Sequence, residues 1–446
     1  MSFLDLPPEL HLRIAETALV NDVSRDNPPS VFLDTLQSSF SPVQDLPEQL
    51  PDLLSMNALA RTCKYLHRTL NNSLYIVCAR NVYVGRLMLL FAVENQLEGL
   101  FDRLLEFGVP ADAFYAPSEW FQHGCRAADI KPRSSELVTL LYVAASKPAT
   151  TFVAKVLAAI PTASARSSLA YRKTRNDGYQ TPIMLATRSG ELQSVRVLSR
   201  IAAPPDHKFT SDADARCDYL SRALIATCAT RTELRRLEAL ELLIDEGADV
   251  DLDDGEALAW SCLNNDEAAV RMLLKAGAAP VYPNITPTNP DIIRVLADAG
   301  ADLDEVTSYV CDLNLSALQR AVDEQADVDI VRALLECGAD VHIRNAIGET
   351  ILHFACLGPI GTPDGVLPKP PDNATVELLL QFGAARYIAE PDLEDGHTPI
   401  AIAKRSRYMD VLDLFLLYAE DEVVAQDLRE YLEDSSAGRK RRRALV

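Results

Sequence analysis

The chain has 446 residues, more than a usual single-core domain, which predicts either several domains or one elongated array. A formal net charge of −21 argues against nucleic acid or an anionic membrane as the main partner, because a negative surface is repelled by phosphate. The nine cysteines are scattered and form no C-x-x-C pair, which predicts a reduced protein. The sequence shows no signal peptide and no apolar run of about 18 residues, which predicts a protein of the cytoplasm, the nucleus or both, with no membrane partner.

The N-terminal stretch LDLPPELHLRIAE, residues 4–16, predicts a helix with one apolar stripe. Leu6, Leu10 and Ile14 recur every four residues, and Pro7 suits the first turn of a helix because no amide hydrogen is needed there. The stripe either caps the rest of the chain or docks on another protein.

A second helical pattern follows over residues 50–75, after a segment at about 20–50 that is rich in Ser, Asp and Pro and is interpreted as a loop. The apolar residues of this pattern are Leu53, Leu54, Leu59, Cys63 and Leu66. Together the two helical pieces are too small to bury a core of their own.

A repeated pattern of helix, Gly-Ala and extended segment fills most of the remaining chain. An aliphatic pair near the end of each helix predicts packing against neighbouring helices, and the glycine that follows predicts a left-handed residue that ends the helix. The copies are residues 97–112, 235–252, 267–282, 291–304, 329–343 and 375–388. Weaker copies occupy residues 137–160 and 219–229.

The terminal glycines of the last five copies are 30, 23, 38 and 45 residues apart. The 23-residue interval is too short for two helices and contains Pro283, Pro287 and Pro290, so we expect the first helix of that copy to be missing or reduced to a loop. The 45-residue interval contains a Pro- and Gly-rich insertion at 357–373.

Between copies the chain turns back at DGYQTPIMLA (177–186), GETILHFA (348–355) and DGHTPIAIA (395–403). Asp-Gly predicts the turn, Thr predicts the cap of the following helix, and Pro182 and Pro399 suit its first turn.

P-loop, dinucleotide-binding, zinc-protease and nucleophile-elbow motifs do not occur in the sequence, which predicts a non-catalytic binding protein without a cofactor. His353 and Cys356 resemble half of a metal site, but no second ligand pair is apparent, and we expect no metal. The chain ends on a basic cluster after an acidic stretch, and this cluster is either a nuclear localisation signal or a disordered solubilising tail. Its residues are Arg439, Lys440, Arg441, Arg442 and Arg443.

The Thr-Pro starts and Gly-Ala ends resemble the ankyrin repeat, a helical hairpin of about 33 residues. The resemblance implies an all-α ankyrin-repeat solenoid over residues 83–419, with eight or nine repeats, several of them degenerate. It also places His353 at a position that makes a structural hydrogen bond, and it makes the segments between repeats the fingers that usually meet a partner. These fingers are acidic at 249–256, 302–305 and 390–396 and basic at 171–178 and 342–345, which indicates either a partner of mixed charge or merely the overall acidity.

Residues 1–80 resemble the F-box, a small helical module that docks on the linker subunit of a cullin-RING ubiquitin ligase. The matching positions are Leu6, Pro7, Leu10, Ile14, Leu53, Leu54, Leu59, Cys63 and Leu66. An F-box followed by ankyrin repeats is an arrangement familiar from filamentous fungi. It implies a substrate-recognition subunit of an SCF-type ligase, a monomer outside the complex, whose partners are the adaptor and a protein substrate of unknown identity. Residues 420–446 would then form an acidic end and basic tail.

Two alternatives remain open from the sequence. The chain is an ankyrin scaffold or inhibitor that does not assemble with a ligase, or the missing helix near 283–290 and the insertion at 357–373 shape a pocket for a small molecule.

Overall fold

A computed structural model describes most of the chain beyond residue 74. The described residues are 75–76, 78–80, 82–112, 114–115, 138–147, 150–173, 180–204, 211–230, 235–281, 287–308, 314–357 and 372–444. From residue 436 onward only the backbone is described. They divide into two compact units, Met1–Asp249 and Val250–Val446, which are described separately.

The described residues of unit 1 form helices and one short pair of strands. Its helices are α1 (Val82–Glu94), α2 (Glu98–Glu106), α3 (Leu140–Ala145), α4 (Thr150–Ala159), α5 (Ala163–Ala170), α6 (Pro182–Arg188), α7 (Leu192–Ser199), α8 (Asp212–Ala229) and α9 (Arg236–Asp245). Strands β1 (Phe114–Tyr115) and β2 (Val138–Thr139) pair antiparallel, with Phe114 opposite Thr139.

Unit 2 follows the same plan. Its helices are α10 (Leu252–Leu263), α11 (Glu267–Lys275), α12 (Pro290–Asp298), α13 (Ala317–Asp323), α14 (Val328–Glu336), α15 (Ile351–Leu357), α16 (Asn373–Gln381), α17 (Pro399–Ser406), α18 (Met409–Tyr418) and α19 (Glu422–Ala444), with a 3₁₀ turn at Ala384–Tyr387. Strands β3 (Thr307–Ser308) and β4 (Asn314–Leu315) pair antiparallel. The all-α expectation is therefore confirmed in its main feature, and the two short strand pairs were not predicted.

Helices stack in two rows within each unit. In unit 1 the first helices of successive hairpins, α3, α6 and α8, pack side by side, as do the second helices α4, α7 and α9. In unit 2 the second helices α11, α12, α14, α16 and α18 form one row and the first helices α13, α15 and α17 form the other. Aliphatic side chains between the rows, such as Leu273, Leu296 and Leu334, are fully buried and form the core.

The described residues between α11 and α12, which are 276–281 and 287–289, contain no helix. Helix α12 nevertheless packs between α11 and α14 in the second row. This part of the chain agrees with the expectation that the short interval leaves room for one helix. Most of the insertion expected at 357–373 lies outside the described residues.

Each repeat glycine ends its helix in the left-handed region, as the sequence predicted. The φ angles are +88° at Gly108, +95° at Gly247, +101° at Gly277, +93° at Gly300, +95° at Gly338 and +101° at Gly383. At Gly338 the glycine N–H bonds to the carbonyl of Leu335 at 3.1 Å, and the next N–H bonds to the carbonyl of Leu334 at 3.0 Å. This pair of bonds is the Schellman arrangement, which satisfies carbonyls that the helix itself leaves unpaired.

We expect Gly338→Ala to lower the free energy of unfolding by about 1–2 kcal/mol, because a Cβ atom is strained at positive φ. A Cβ at this position would meet no atom within 4 Å, so the cost comes from the backbone alone. Gly99→Ala is the matched control, since Gly99 lies inside α2 in equally open space and alanine favours a helix. Urea unfolding should show that Gly338→Ala lowers the free energy of unfolding and that Gly99→Ala raises it. Changes of the same sign in both variants would refute the argument.

The helix starts follow the predicted capping in part. Thr398 accepts the N–H of Ala401 at 3.1 Å, and Pro399 occupies the first turn of α17. The corresponding expectation for Thr181 is wrong, because its side chain makes no capping hydrogen bond although Pro182 does begin α6.

Candidate partner-binding surface

The apolar residues assigned to the F-box resemblance all lie outside the described residues. They are Leu6, Pro7, Leu10, Ile14, Leu53, Leu54, Leu59, Cys63 and Leu66. The basic cluster 439–443 lies in the last turns of α19, which continues to Ala444. The backbone of this cluster is helical, and cations at a helix C-terminus are favoured by the helix dipole. Its role as a nuclear localisation signal or as a solubilising tail stays a prediction.

His353 ties one first helix to the following finger. Its Nδ1 accepts the backbone N–H of Thr350 at 3.0 Å, and its Nε2 lies 3.0 Å from the carbonyl oxygen of His397. Because Nδ1 accepts a hydrogen bond, the ring proton is on Nε2 and is donated to that carbonyl. His353 is fully buried, so its hydrogen bonds serve the fold, as the resemblance implied.

Gln319 makes the equivalent pair of hydrogen bonds one hairpin earlier. Its Oε1 accepts the N–H of Ser316 at 3.0 Å, and its Nε2 donates to the carbonyl of Ile343 at 3.0 Å. Ser316 in turn accepts the N–H of Gln319, which completes a capping box at the start of α13. The sequence reasoning missed Gln319, although its place two residues after Ala317 aligns it with His353 two residues after Ile351.

Cys356 does not form a metal site with His353. Burial raises the pKa of the Cys356 thiol to about 12, so the sulfur stays protonated, and both nitrogens of His353 are already engaged. Within the described part of the chain no group of three or more His, Cys, Asp and Glu residues is placed to hold a metal ion.

Several acidic finger residues hold adjacent backbone in place. Asp251 accepts the N–H of Ala279 at 2.9 Å, and Asp304 accepts the N–H of Asp340 at 2.7 Å. Each bond links one finger to the next within unit 2. Part of the acidity of the fingers is thus structural, and it does not by itself describe a partner.

Asp392 organises the last acidic finger in the same way. Its carboxylate accepts backbone N–H bonds from residues 394 to 397, at 2.7 to 3.1 Å. Desolvation acts to raise the pKa of Asp392, but these hydrogen bonds outweigh it and the pKa is lowered. The neighbouring Leu393 has 78 % of its surface exposed, and its N–H bonds to the carbonyl of Ile347 at 2.9 Å. The finger therefore presents an apolar tip on a fixed backbone.

The basic finger 342–345 meets the finger of the next repeat at Tyr387. The guanidinium carbons of Arg344 and Arg386 lie 5.3 and 4.8 Å from the centre of the Tyr387 ring. The His342 ring packs edge-on against the same tyrosine, with 5.6 Å between the ring centres. We refer to His342, Arg344, Arg386 and Tyr387 as the Tyr387 cluster.

The basic finger of unit 1 borders a small cavity. Tyr171 and Tyr219 stack with their ring centres 4.1 Å apart beside a cavity of about 120 Å³. Met184, Lys173 and Arg222 also line it. The residues that line this cavity include none from 283–290 or 357–373, where the sequence suggested a pocket; residues 283–286 and 358–371 lie outside the described part of the chain.

Comparison with known proteins identifies the repeat. The family model of the ankyrin repeat matches residues 314–346, which span α13, α14 and the following finger. An ankyrin repeat protein of Acanthamoeba polyphaga mimivirus is 23% identical over 240 residues, which are 46% of this chain and 29% of that protein. The chain therefore matches less than a third of the length of that relative.

Two solved structures are also similar to this chain. The ankyrin repeat domain of human ASB11 is 17% identical with a TM-score of 0.33, covering 66% of this chain and 96% of that one. The ankyrin repeat domain of Bcl-3, a member of the IkappaB family, is 24% identical with a TM-score of 0.31, covering 60% of this chain and 92% of that one. Among the described residues no helix is both long enough and apolar enough to cross a membrane.

Proposed function

Because this chain is an ankyrin-repeat protein, we propose that it is the substrate-recognition subunit of a cullin-RING ubiquitin ligase of the SCF type. The repeats form a protein-protein interaction domain, and they would hold the substrate on their fingers and first helices. The N-terminal leucines would dock on the ligase adaptor. Ubiquitin transfer would then be performed by other subunits, so this chain would need no catalytic residue.

The observation that supports the binding role is the set of fingers fixed by internal hydrogen bonds. Asp251, Asp304 and Gln319 each bond across to the backbone of the next finger. Asp392 and the bond from the Leu393 N–H to Ile347 hold the last finger, so that Leu393 at its tip is presented on a fixed backbone, which lowers the entropy lost when a partner binds. Support for the ligase role comes from the leucine pattern of residues 6–66.

We expect Leu10→Asp combined with Leu59→Asp to abolish recovery of the adaptor when the tagged full chain is purified from its native cells. A carboxylate placed in an apolar docking face must lose its water, which costs several kcal/mol. Leu12→Asp is the matched control, because in the helix predicted from the sequence residue 12 would lie about 200° around the axis from residue 10 and therefore off the stripe. The adaptor should be recovered with the unmodified chain and with Leu12→Asp.

The alternative function is an ankyrin scaffold or inhibitor without a ligase. In that case the unmodified chain would recover protein partners but no adaptor, and removing residues 1–80 would leave the set of partners unchanged. Recovery of the adaptor with the Leu10→Asp, Leu59→Asp chain would equally contradict the proposed docking face.

A further inference from the structure

The Tyr387 cluster concentrates positive charge on a chain whose net charge is −21. His342, Arg344 and Arg386 are exposed, whereas Tyr387 is only 7% exposed and serves as the buried support. The two arginines come from successive fingers of unit 2, so they lie where a partner that crosses both fingers would meet them.

The two arginines are held in different ways. Arg386 donates a hydrogen bond to the hydroxyl oxygen of Tyr387 at 2.6 Å, and within the described residues it pairs with no carboxylate. Arg344 donates to Glu390 at 2.8 Å in an exposed pair, which is weak because water and salt screen it. A further carboxylate of this finger, Asp340, accepts the backbone N–H of His342 at 2.8 Å.

The tyrosine explains how the cations are kept in place. A guanidinium group beside an aromatic ring is attracted by the negative face of the ring, and its planar fork then presents N–H donors at its edge. The described contacts of Arg386 leave most of its five N–H donors for another acceptor. Arginine forks match the two oxygens of a carboxylate or a phosphate.

We propose that the Tyr387 cluster binds an anionic side chain, a carboxylate or a phosphate, on an extended segment of a partner protein. This inference rests on the proposed role of the repeats as a partner-binding domain and names the chemistry of that partner. Arg386 is the principal ligand. Arg344 joins it by exchanging Glu390 for the incoming anion, and His342 borders the site.

The test uses the full chain and degenerate peptide arrays whose central residue is fixed as phosphoserine, glutamate, serine or lysine. We expect the phosphoserine and glutamate arrays to bind about tenfold more strongly than the serine array, since one hydrogen bond to a charged group is worth about 1.5 kcal/mol or more. The ratio of phosphoserine to glutamate signal distinguishes the two sources of the anion. Equal binding of the serine and anionic arrays would overturn the proposal.

Variants of the cluster make the test specific. Arg386→Gln should remove the preference for the anionic arrays, and Glu390→Gln should strengthen it because Arg344 loses its competing partner. Arg294→Gln is the matched control, since Arg294 is an exposed arginine of the same unit paired with Asp291 and Glu336. An unchanged preference in Arg386→Gln would overturn the proposal even if Glu390→Gln behaved as expected.

The ligase role is tested separately, by measuring whether the adaptor is recovered with the tagged Arg386→Gln chain. If the unmodified chain recovers the adaptor and partners but shows no preference for the anionic arrays, the proposed function stands and only the anion site fails. If the preference is present but the unmodified chain recovers no adaptor, the anion site stands and the ligase role fails.

Discussion

Replacing Phe101 with alanine is expected to lower the free energy of unfolding of unit 1 by about 3–5 kcal/mol. The Phe101 side chain is fully buried, and its ring meets the ring of Phe152 edge to face, with 5.3 Å between their centres. Phe101 lies on α2 and Phe152 on α4, so the pair joins the second helices of two hairpins. In a stack of repeats the contact between neighbours carries much of the stability, because each hairpin cannot bury its apolar face alone.

Phe91→Ala is the matched control for this substitution. Phe91 lies on α1 and is 41% exposed, so the same change of side chain should cost much less than at Phe101. Hydrogen exchange should show faster exchange in α2 and α4 of Phe101→Ala, with the amides of unit 2 unaffected. A Phe101→Ala chain as stable as Phe91→Ala would show that the aromatic pair does not join the hairpins.

The positions of helix ends were predictable from the sequence because they depend on local backbone chemistry. Glycine adopts positive φ more readily than any other residue, so Gly247, Gly277 and Gly338 identify the ends of their helices whatever packs around them. The loss of the first helix between Gly277 and Gly300 was predictable for a similar local reason, since proline inside a helix removes a hydrogen bond.

Contacts between fingers were not predictable, because they join residues far apart in sequence. Glu390 and Arg344 are ordinary charged residues in the sequence, and only the stacking of two repeats brings them to 2.8 Å. The Tyr387 cluster likewise appears only when the finger at 342–345 lies beside the next one. The sequence shows that this finger is basic, but it gives no reason for the charges to converge on one ring.

The sequence did not reveal the role of Gln319, because glutamine at this position belongs to no recognised motif of the repeat. A histidine after Thr-x-x is a familiar feature of this repeat, whereas Gln319 follows Ser-Ala-Leu and reads as an ordinary polar residue. The structure shows that an amide oxygen and an amide nitrogen replace Nδ1 and Nε2 of the imidazole. This equivalence leads to a second prediction with a large effect.

His353→Leu is expected to lower the free energy of unfolding of unit 2 by about 2–5 kcal/mol. Leucine fills similar space but leaves the N–H of Thr350 and the carbonyl of His397 without their partner, and each such buried group costs about 1–3 kcal/mol. His353→Gln should recover most of this loss, because Gln319 makes the same two bonds in the preceding hairpin. Urea unfolding followed by fluorescence measures the effect, with Trp120→Phe added so that Trp260, the other of the two tryptophans, reports on unit 2.

The reciprocal changes at residue 319 test whether the two positions are equivalent. Gln319→His should be tolerated, whereas Gln319→Leu should cost as much as His353→Leu, because the carbonyl of Ile343 and the N–H of Ser316 lose their partner. Equal stability of the Leu and Gln variants at residue 353 would mean that volume alone matters there. The tie between first helix and finger would then contribute nothing to the rigidity on which partner binding depends.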